Sequence, residues 1–303
     1  MKDLVKYGVS FTRDENGDFV YTREGAHAHH RILFHEDITG KEITSHLLNA
    51  VKKLKNVRMY EYTTLLDILC DGSKCCGGII RWPDGREEQV EADYVILATG
   101  GIGGTYKHST NFKHLTGDGV EIARRHNIEL KNLDYVQIHP TTLYSDNKEE
   151  RSFLISESVR GEGARLYDKN MNRFVDELLP RDLLTQEIYK QMEKDGTDFV
   201  WEDLRTIPRD ELISHFPNII EHCSQAGYDV FHECIPIVPA QHYFMGGIKV
   251  NHNSKTSMDH LYAVGETACN GVHGKNRLAS NSLLESLVIC QKESAKEIAG
   301  ERR

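Results

Sequence analysis

The stretch LYAVGETACNGVHGKNRLASNSLLE, residues 261–285, carries the signals of a strand, a tight turn, a glycine-rich loop and a helix, in that order. Its first four residues are an apolar run, Gly265 and Glu266 form the corner after it, and the loop carries Arg277. Polar caps for a helix that begins at about residue 283 are Ser280, Asn281 and Ser282. A helix start presents unpaired N–H groups and partial positive charge, so this order predicts a site for an anionic or electron-rich ligand.

The composition is that of an ordinary globular protein. Of 303 residues, 39% are hydrophobic and 27% are charged, which excludes a disordered chain. The net charge of -9 and the absence of a Lys/Arg cluster argue against a nucleic-acid partner. No run of about 18 apolar residues predicts a membrane span, and no signal peptide follows Met1, so we expect a cytoplasmic protein.

Cysteine and histidine spacing predicts neither a disulfide framework nor a metal site. The seven cysteines are scattered and lack Cys-x-x-Cys spacing, so we interpret them as reduced, with a Cys75–Cys76 vicinal disulfide disfavoured. The four histidines within residues 27–35 lack a second ligand pair at the spacing of a closed zinc site. A serine hydrolase is disfavoured because no G-x-S-x-G motif is present.

Hydrophobic spacing predicts most of the regular elements. Apolar residues at intervals of three and four predict a helix over residues 41–54. Alternation with turn signals predicts a meander of three strands at residues 65–70, 78–82 and 88–92. Further helices are predicted over residues 117–127, 181–194, 209–216 and 218–226.

The run DYVILAT at residues 93–99 predicts a strand buried on both faces of a mostly parallel sheet. It leads into a glycine-rich turn at residues 100–104, where the dinucleotide fingerprint G-x-G-x-x-G fails because its sixth position is Tyr106. Gly100 and Gly101 still permit close approach of the backbone to a ligand at the carboxyl end of a parallel strand.

These patterns predict an α/β fold with an α+β insertion, in which a nucleotide-binding-type domain is interrupted by a capping domain. We place the first part of the binding domain at residues 1–131, the capping domain at 132–245 and the return segment at 246–303. Clefts between two such units commonly hold the substrate.

The polar residues that are candidates for catalysis or binding lie at six separate places in the sequence. Residues that line a cleft between domains are expected to be separated in this way. The candidates are Glu24, His139, Glu157, Arg160, Arg181, His242 and Arg277. Both histidines are expected at loop positions, one of them beside Pro140. Each is equally compatible with a functional and a structural role on these grounds.

Arginines at helix starts or in glycine-rich loops offer a fixed fork for a carboxylate. Arg181 and Arg277 therefore predict a dicarboxylate ligand, although surface pairing with Asp182 or Glu285 is the alternative. Asp118, near the start of a predicted helix, either binds a ligand hydroxyl or merely interacts with the helix dipole.

With these residues in view, the chain resembles the flavoprotein family of succinate dehydrogenase, fumarate reductase and L-aspartate oxidase. The resemblance extends over almost the whole chain, and residues 22–40 are most similar to the aspartate-oxidase form of that loop. The shared motifs are ATGG (98–101), TGDG (116–119), HPTTLY (139–144), ESVRGEGARL (157–166), PRD (180–182), VPAQHYFMGGI (238–248), VGE (264–266) and HGKNRLASNSLLE (273–285).

The resemblance implies a Rossmann-like FAD-binding domain interrupted by a capping domain. It also implies oxidation of L-aspartate to iminoaspartate, the first step toward quinolinate and NAD, with fumarate or molecular oxygen reoxidising FAD. The possible protein partners that it suggests are a second copy of the chain and quinolinate synthase, to which product would be channelled. The alternatives are a succinate dehydrogenase or fumarate reductase flavoprotein subunit and a catalytically silent module.

Residue roles follow by position in the shared motifs. His139, His242 and Arg277 would bind the two carboxylates, and Glu24 would meet the substrate ammonium. Arg181 matches the proton donor or acceptor, and Glu157 would relay its proton, because arginine itself is rarely deprotonated. The cofactor contacts would be Gly100, Gly101, Asp118, Glu266, Asn281, Ser282 and Leu283.

The chain departs from the family pattern at both ends. The family begins with a strand, a G-x-G-x-x-G turn and a helix that bind the FAD pyrophosphate, and the oxidases end in a helical domain; neither segment is found here. We therefore expect a fragment that retains most substrate residues but binds FAD weakly.

Overall fold

The fold is known from a computed structural model, which describes residues 2–22, 27–147, 150–289 and 298–300. The chain divides into two compact units. The first comprises Met1–Arg58, Ile138–Lys148 and Ser152–Ala240, and the second Met59–Gln137, Glu149–Arg151 and Gln241–Arg303. Within the described ranges, no helix combines the length and apolar character that a bilayer crossing needs.

Helices and strands alternate along the described chain. The helices are α1 (Lys2–Lys6), α2 (Thr39–Val51), α3 (Asp118–Arg125), α4 (Glu157–Gly161), α5 (Arg181–Asp195), α6 (Arg209–His215), α7 (Pro217–Gln225) and α8 (Asn281–Ile289). The strands are β1 (Tyr21–Thr22), β2 (Ile32–Leu33), β3 (Thr64–Asp71), β4 (Lys74–Arg81), β5 (Glu87–Glu91), β6 (Val95–Leu97), β7 (Leu130–Lys131), β8 (Val136–Leu143), β9 (Arg165–Tyr167), β10 (Val200–Asp203), β11 (Ile235–Phe244), β12 (Gly247–Lys249), β13 (Leu261–Ala263) and β14 (Ala268–Cys269).

The first unit is built on a sheet with the strand order β8-β11-β10-β9. Strand β10 pairs antiparallel with both β11 and β9. The core on this sheet includes Leu184 and Ile188, which lie four residues apart in α5 and therefore on one face of that helix. Asp37 joins the N-terminal segment to α7, because its carboxylate accepts hydrogen bonds from the Asn218 side chain and from the backbone N–H of Ile219 at 3.0 Å.

The second unit contains the antiparallel meander β3-β4-β5 and two small sheets. Strands β6 and β13 run parallel, with Val95 opposite Leu261 and Leu97 opposite Ala263. Helix α3 contributes Ile122 and Ala123 to the core that these strands share.

The α/β fold with an insertion and the predicted helices are confirmed, with ends shifted by up to three residues. The predicted strand at residues 93–99 is wrong in two respects. It is regular only over Val95–Leu97, and Ile96 is 48% exposed rather than buried on both faces. Cys75 and Cys76 are free thiols, as predicted. Residues 1–58 group with the inserted region, whereas we assigned them to the binding domain; that domain assignment stays a prediction.

Two adjacent leucines in α5 have the same helix propensity but differ in burial. Replacing each in turn therefore measures the effect of burial. Leu184 is completely buried and Leu183 is 46% exposed. We expect Leu184→Ala to lower the free energy of unfolding by about 2–5 kcal/mol, since it leaves a cavity in the core. The matched change Leu183→Ala should cost less than about 0.5 kcal/mol. Urea unfolding of the two variants measures both values, and equal losses would contradict the packing described here.

Candidate active site

A buried ion pair joins the starts of two helices in the first unit. Arg181, the first residue of α5, donates from Nε to Oε2 of Glu157 at 2.8 Å, and its Nη2 lies 2.6 Å from the same oxygen. Glu157 is the first residue of α4, where the Ser156 side chain caps the helix by accepting from the Ser158 N–H. Arg181 is not a surface side chain, because only 10% of it is exposed.

Arg160 is buried one helical turn beyond Glu157. Its Nη1 donates to the backbone oxygen of Glu177 at 2.6 Å, and its Nη2 lies 3.9 Å from Oε1 of Glu157, which is too far for a hydrogen bond. Burial lowers the pKa of Arg160, although the neighbouring carboxylates of Glu157 and Glu202 act to raise it. Glu157, Arg160 and Arg181 thus form a continuous chain of charged groups.

Glu177 holds this row of charged groups in place, and it was not among the site residues predicted from the sequence. Its buried carboxylate accepts from Nε and Nη2 of Arg173 at 3.0 and 2.7 Å and from the Leu166 N–H at 3.0 Å. Burial acts to raise the pKa of Glu177, but these hydrogen bonds outweigh it and the pKa is lowered. The Arg173–Glu177 spacing of four residues was a readable signal, although it is also common on exposed surfaces.

His139 lies inside strand β8 and is completely buried, so the predicted loop position is wrong. Pro140 suggested a loop, but β8 is at the edge of its sheet, where a missing N–H is tolerated. The His139 Nδ1 lies 3.0 Å from the Thr141 oxygen and 3.2 Å from the Thr141 N–H. In the tautomer that accepts from the Thr141 N–H, Nε2 carries the proton and is a hydrogen-bond donor.

In the second unit, His242 and Arg277 lie near Tyr243. His242 is also in a strand, β11, rather than in the predicted loop, and its Nδ1 is 2.8 Å from the Thr110 hydroxyl. The Arg277 guanidinium lies over the Tyr243 ring, 4.5 Å from its centroid, and Nη1 donates to the Ser282 hydroxyl at 3.3 Å. Ring and hydroxyl together fix the direction of the Arg277 fork.

The buried carboxylate of Glu285 holds the Tyr243 side chain in place. Glu285 accepts from the Tyr243 hydroxyl at 3.1 Å and from the Asn270 side chain, and it lies 2.9 Å from Nε2 of His273. Arg277 and Glu285 are both buried, with exposed fractions of 5% and 8%, so the alternative of a surface pair does not apply to this arginine. Sequence reasoning did not predict these contacts of Tyr243, His273 and Glu285, because they join residues far apart in the chain.

The predicted glycine turn meets the predicted corner in the second unit. A Cβ on Gly101 would overlap the Glu266 carboxylate and lie 2.8 Å from its Cδ. Glu266 accepts from the Phe244 N–H at 2.9 Å, and burial raises the pKa of Glu266 to about 7. Gly100 has φ of 74°, a left-handed value that favours glycine. The two glycines therefore make room for the Glu266 carboxylate and the Leu115 side chain.

Helix α8 begins at Asn281, two residues earlier than predicted, so Asn281, Ser282 and Leu283 form its first turn. Asp118 is the first residue of α3, accepts from the Thr116 hydroxyl at 2.6 Å, and borders a surface cavity of about 240 Å³. Glu24 lies outside the described residues. The site residues accordingly form one group in each unit.

Known proteins share both the sequence and the fold of this chain. The sequence model of the FAD binding domain family matches residues 1–283. The chain is 51% identical over 289 residues to L-aspartate oxidase of Clostridium perfringens, covering 95% of this chain and 65% of that protein. It is 47% identical to L-aspartate oxidase of Clostridium acetobutylicum, covering 95% and 66%. The chain thus spans about two thirds of the length of these relatives.

The fold is similar to that of a variant of E. coli quinol fumarate reductase, with a TM-score of 0.90 and 31% identity. That match covers 100% of this chain and 56% of the reductase.

The contact between Gly101 and Glu266 is open to a direct test. We expect Gly101→Ala to lower the free energy of unfolding by about 1–3 kcal/mol, because the added methyl displaces a carboxylate held by the Phe244 N–H. Gly40→Ala in α2 is the matched control, since an added Cβ there meets open space and should be neutral or stabilising by about 0.5–1 kcal/mol. Chemical denaturation of both variants provides the comparison, and an unaffected Gly101→Ala variant would contradict the close packing.

Proposed function

The chain belongs to the FAD-binding domain family, and from that premise we propose that the protein oxidises L-aspartate to iminoaspartate, with fumarate or molecular oxygen as the final acceptor. The observation that carries this proposal is the buried Arg181–Glu157 pair, in a chain 51% identical to one L-aspartate oxidase and 31% identical to a fumarate reductase.

We propose that FAD is bound by residues of the second unit. We propose that Glu266 accepts hydrogen bonds from cofactor hydroxyls, that Gly100 and Gly101 let the backbone lie against it, and that Asp118 contributes a further contact. The first turn of α8, at Asn281, Ser282 and Leu283, adds N–H groups and a positive dipole end. When bound, FAD supplies the two-electron acceptor for the hydrogen that leaves the substrate α-carbon.

The carboxylates of the substrate require hydrogen-bond donors. We propose that His139, through Nε2–H, and His242 each donate to a carboxylate, and that Arg277 contributes a bidentate fork whose direction Tyr243 and Ser282 fix. Glu24 is proposed to pair with the ammonium group, which distinguishes aspartate from succinate. Fixed donors hold the reacting carbon in a single orientation, which lowers the entropic part of the barrier.

The proposed reaction releases and consumes protons, and we assign their transfer to residues of the first unit. Conversion of an ammonium to an iminium with loss of hydride releases one proton, and reduction of fumarate to succinate consumes one proton with one hydride. We propose that Arg181 exchanges this proton with the substrate and that Glu157, in direct contact, exchanges it with Arg181. An arginine alone would hold its proton too firmly, because its pKa exceeds about 12.

Association with a second copy, channelling of iminoaspartate to quinolinate synthase and a cytoplasmic location stay predictions from the resemblance and from composition. They do not enter the chemistry proposed above.

The substrate itself is tested by anaerobic reduction of the flavin in the complete, FAD-loaded protein. We expect rapid bleaching of the flavin absorbance by L-aspartate and none by succinate alone, since Glu24 requires an ammonium partner. Bleaching by succinate without aspartate would favour a succinate dehydrogenase or fumarate reductase flavoprotein instead. No reduction by either compound would indicate a catalytically silent protein.

The role of Arg181 is tested by comparison with Arg209, which occurs in an identical Pro-Arg-Asp tripeptide elsewhere in the chain. Pro208-Arg209-Asp210 repeats Pro180-Arg181-Asp182 at the start of α6, but Arg209 is exposed and lies over the Phe231 ring. We expect Arg181→Lys to lower kcat for aspartate oxidation coupled to fumarate by about 10²–10⁴, because lysine cannot reproduce the contacts with Glu157. Arg209→Lys should leave steady-state rates within about twofold.

Similar losses of kcat in the two lysine variants would contradict a special role for Arg181. A loss confined to KM would assign Arg181 to substrate binding alone.

A further inference from the structure

Glu202 is a carboxylic acid at a position in the core that packing would assign to an apolar side chain. It lies in strand β10 with Ile235 and Leu166 as its cross-strand neighbours. Its side chain points to the same face as that of Val200, two residues earlier, which belongs to the core of the first unit. Glu202 is completely buried. Its presence there therefore requires a partner of opposite charge or a bound proton.

The partner of opposite charge is Arg160, which interacts electrostatically with Glu202. Among the described residues, neither carboxylate oxygen of Glu202 has a hydrogen-bond partner, and the same holds for Nε and Nη2 of Arg160. Buried donors and acceptors that lack a protein partner are normally joined by internal water. The atoms available are two donors on Arg160 and two acceptors on Glu202, which is a matched set for such a bridge.

Arg160 therefore interacts electrostatically with two carboxylates, those of Glu157 and Glu202. Oε1 of Glu157 is 3.9 Å from Nη2, and Nη1 is held by the Glu177 backbone oxygen at 2.6 Å. The charged and titratable groups that face Glu202 are Arg160 from α4, Glu177 from the segment before α5, and Cys223 from α7. Burial raises the pKa of the Cys223 thiol to about 12, so that this thiol stays neutral.

We propose that Glu202 is a positioning residue for the reaction, acting through Arg160: when ionised it competes with Glu157 for the Arg160 guanidinium, and when protonated it leaves Arg160 to Glu157. The inference rests on the proposed function, because it assigns Glu202 to the far end of the Arg181–Glu157–Arg160 chain that exchanges the substrate proton. Glu202 itself does not touch the substrate.

The charge state of Glu202 changes within an accessible pH range. Burial raises the pKa of Glu202 to about 8 from the ordinary value of 4.5, the Glu177 charge adds to this, and Arg160 opposes it. The folded state thus holds a proton that the unfolded chain releases at lower pH. The stability associated with it is fully present below about pH 4.5 and is lost progressively as the pH rises to about 8.

The first test follows stability and does not depend on catalysis. Urea unfolding of the wild type and of Glu202→Gln is measured from about pH 5 to about pH 9. We expect the unfolding midpoint of the glutamine variant to rise relative to the wild type as the pH increases, and the difference to level off above about pH 8. Glu266, whose pKa is also raised, is present in both proteins and cancels. Exposed Glu193 in α5 supplies the control, since Glu193→Gln should give a curve parallel to the wild type.

The second test uses the pH profile of kcat with L-aspartate and fumarate in the complete, FAD-loaded protein. We expect the wild-type rate to fall on the alkaline side as Glu202 ionises, by on the order of tenfold, and Glu202→Gln to lack that decrease. A purely structural role would change kcat by the same factor at every pH.

Parallel stability curves for wild type and Glu202→Gln, or identical alkaline limbs of the rate profile, would overturn the inference. Failure of the proposed function has a different signature. If succinate rather than aspartate reduces the flavin while the alkaline limb still depends on Glu202, the role of Glu202 stands and the assignment of substrate falls.

Discussion

Charge neutralisation inside the first unit is the constraint on which the rest of the site depends. A buried guanidinium or carboxylate without a partner costs several kcal/mol, so each such group must be paired with another. Glu157 meets Arg181, Glu177 meets Arg173, and the Glu177 backbone oxygen receives Arg160. These pairs hold the starts of α4 and α5 in a fixed relation. The Arg181–Glu157 pair, which is proposed to move protons, therefore also fixes the positions of the two helix starts that carry it.

Arg181 illustrates how a buried pair changes the chemistry of an ordinary residue. Its place at the start of α5 puts a cation at the positive end of a helix dipole, which is unfavourable. The Glu157 carboxylate compensates for this at hydrogen-bond distance. In the second unit, Arg277 is oriented by different means, an aromatic face and a hydroxyl. One arginine is thus suited to exchange a proton with a carboxylate, and the other to hold a carboxylate in place.

Sequence reasoning predicted the regular elements well where periodicity is strong. The meander β3-β4-β5 and helix α5 lie within a few residues of their predicted positions, because alternation and three-to-four spacing are local properties. It erred where a local signal competes with a tertiary one. Pro140 suggested a loop, yet an edge strand accepts proline, and the apolar run at 93–99 gave only a three-residue strand with Ile96 exposed.

Local sequence alone determined the candidate list, because glycine turns, helix starts and ordered motifs are all written in neighbouring residues. The Pro-Arg-Asp pattern by itself does not distinguish Arg181 from Arg209, since both follow proline and precede aspartate at a helix start, and Arg181 was chosen through the family resemblance. Only the tertiary structure decided that Arg181 is buried against Glu157 while Arg209 lies exposed over Phe231. Likewise, only the fold placed Glu202 in an apolar core near Arg160. The physical reason is that burial and charge pairing are properties of residues far apart in the chain, 24 positions in the case of Glu157 and Arg181, and no local pattern encodes them.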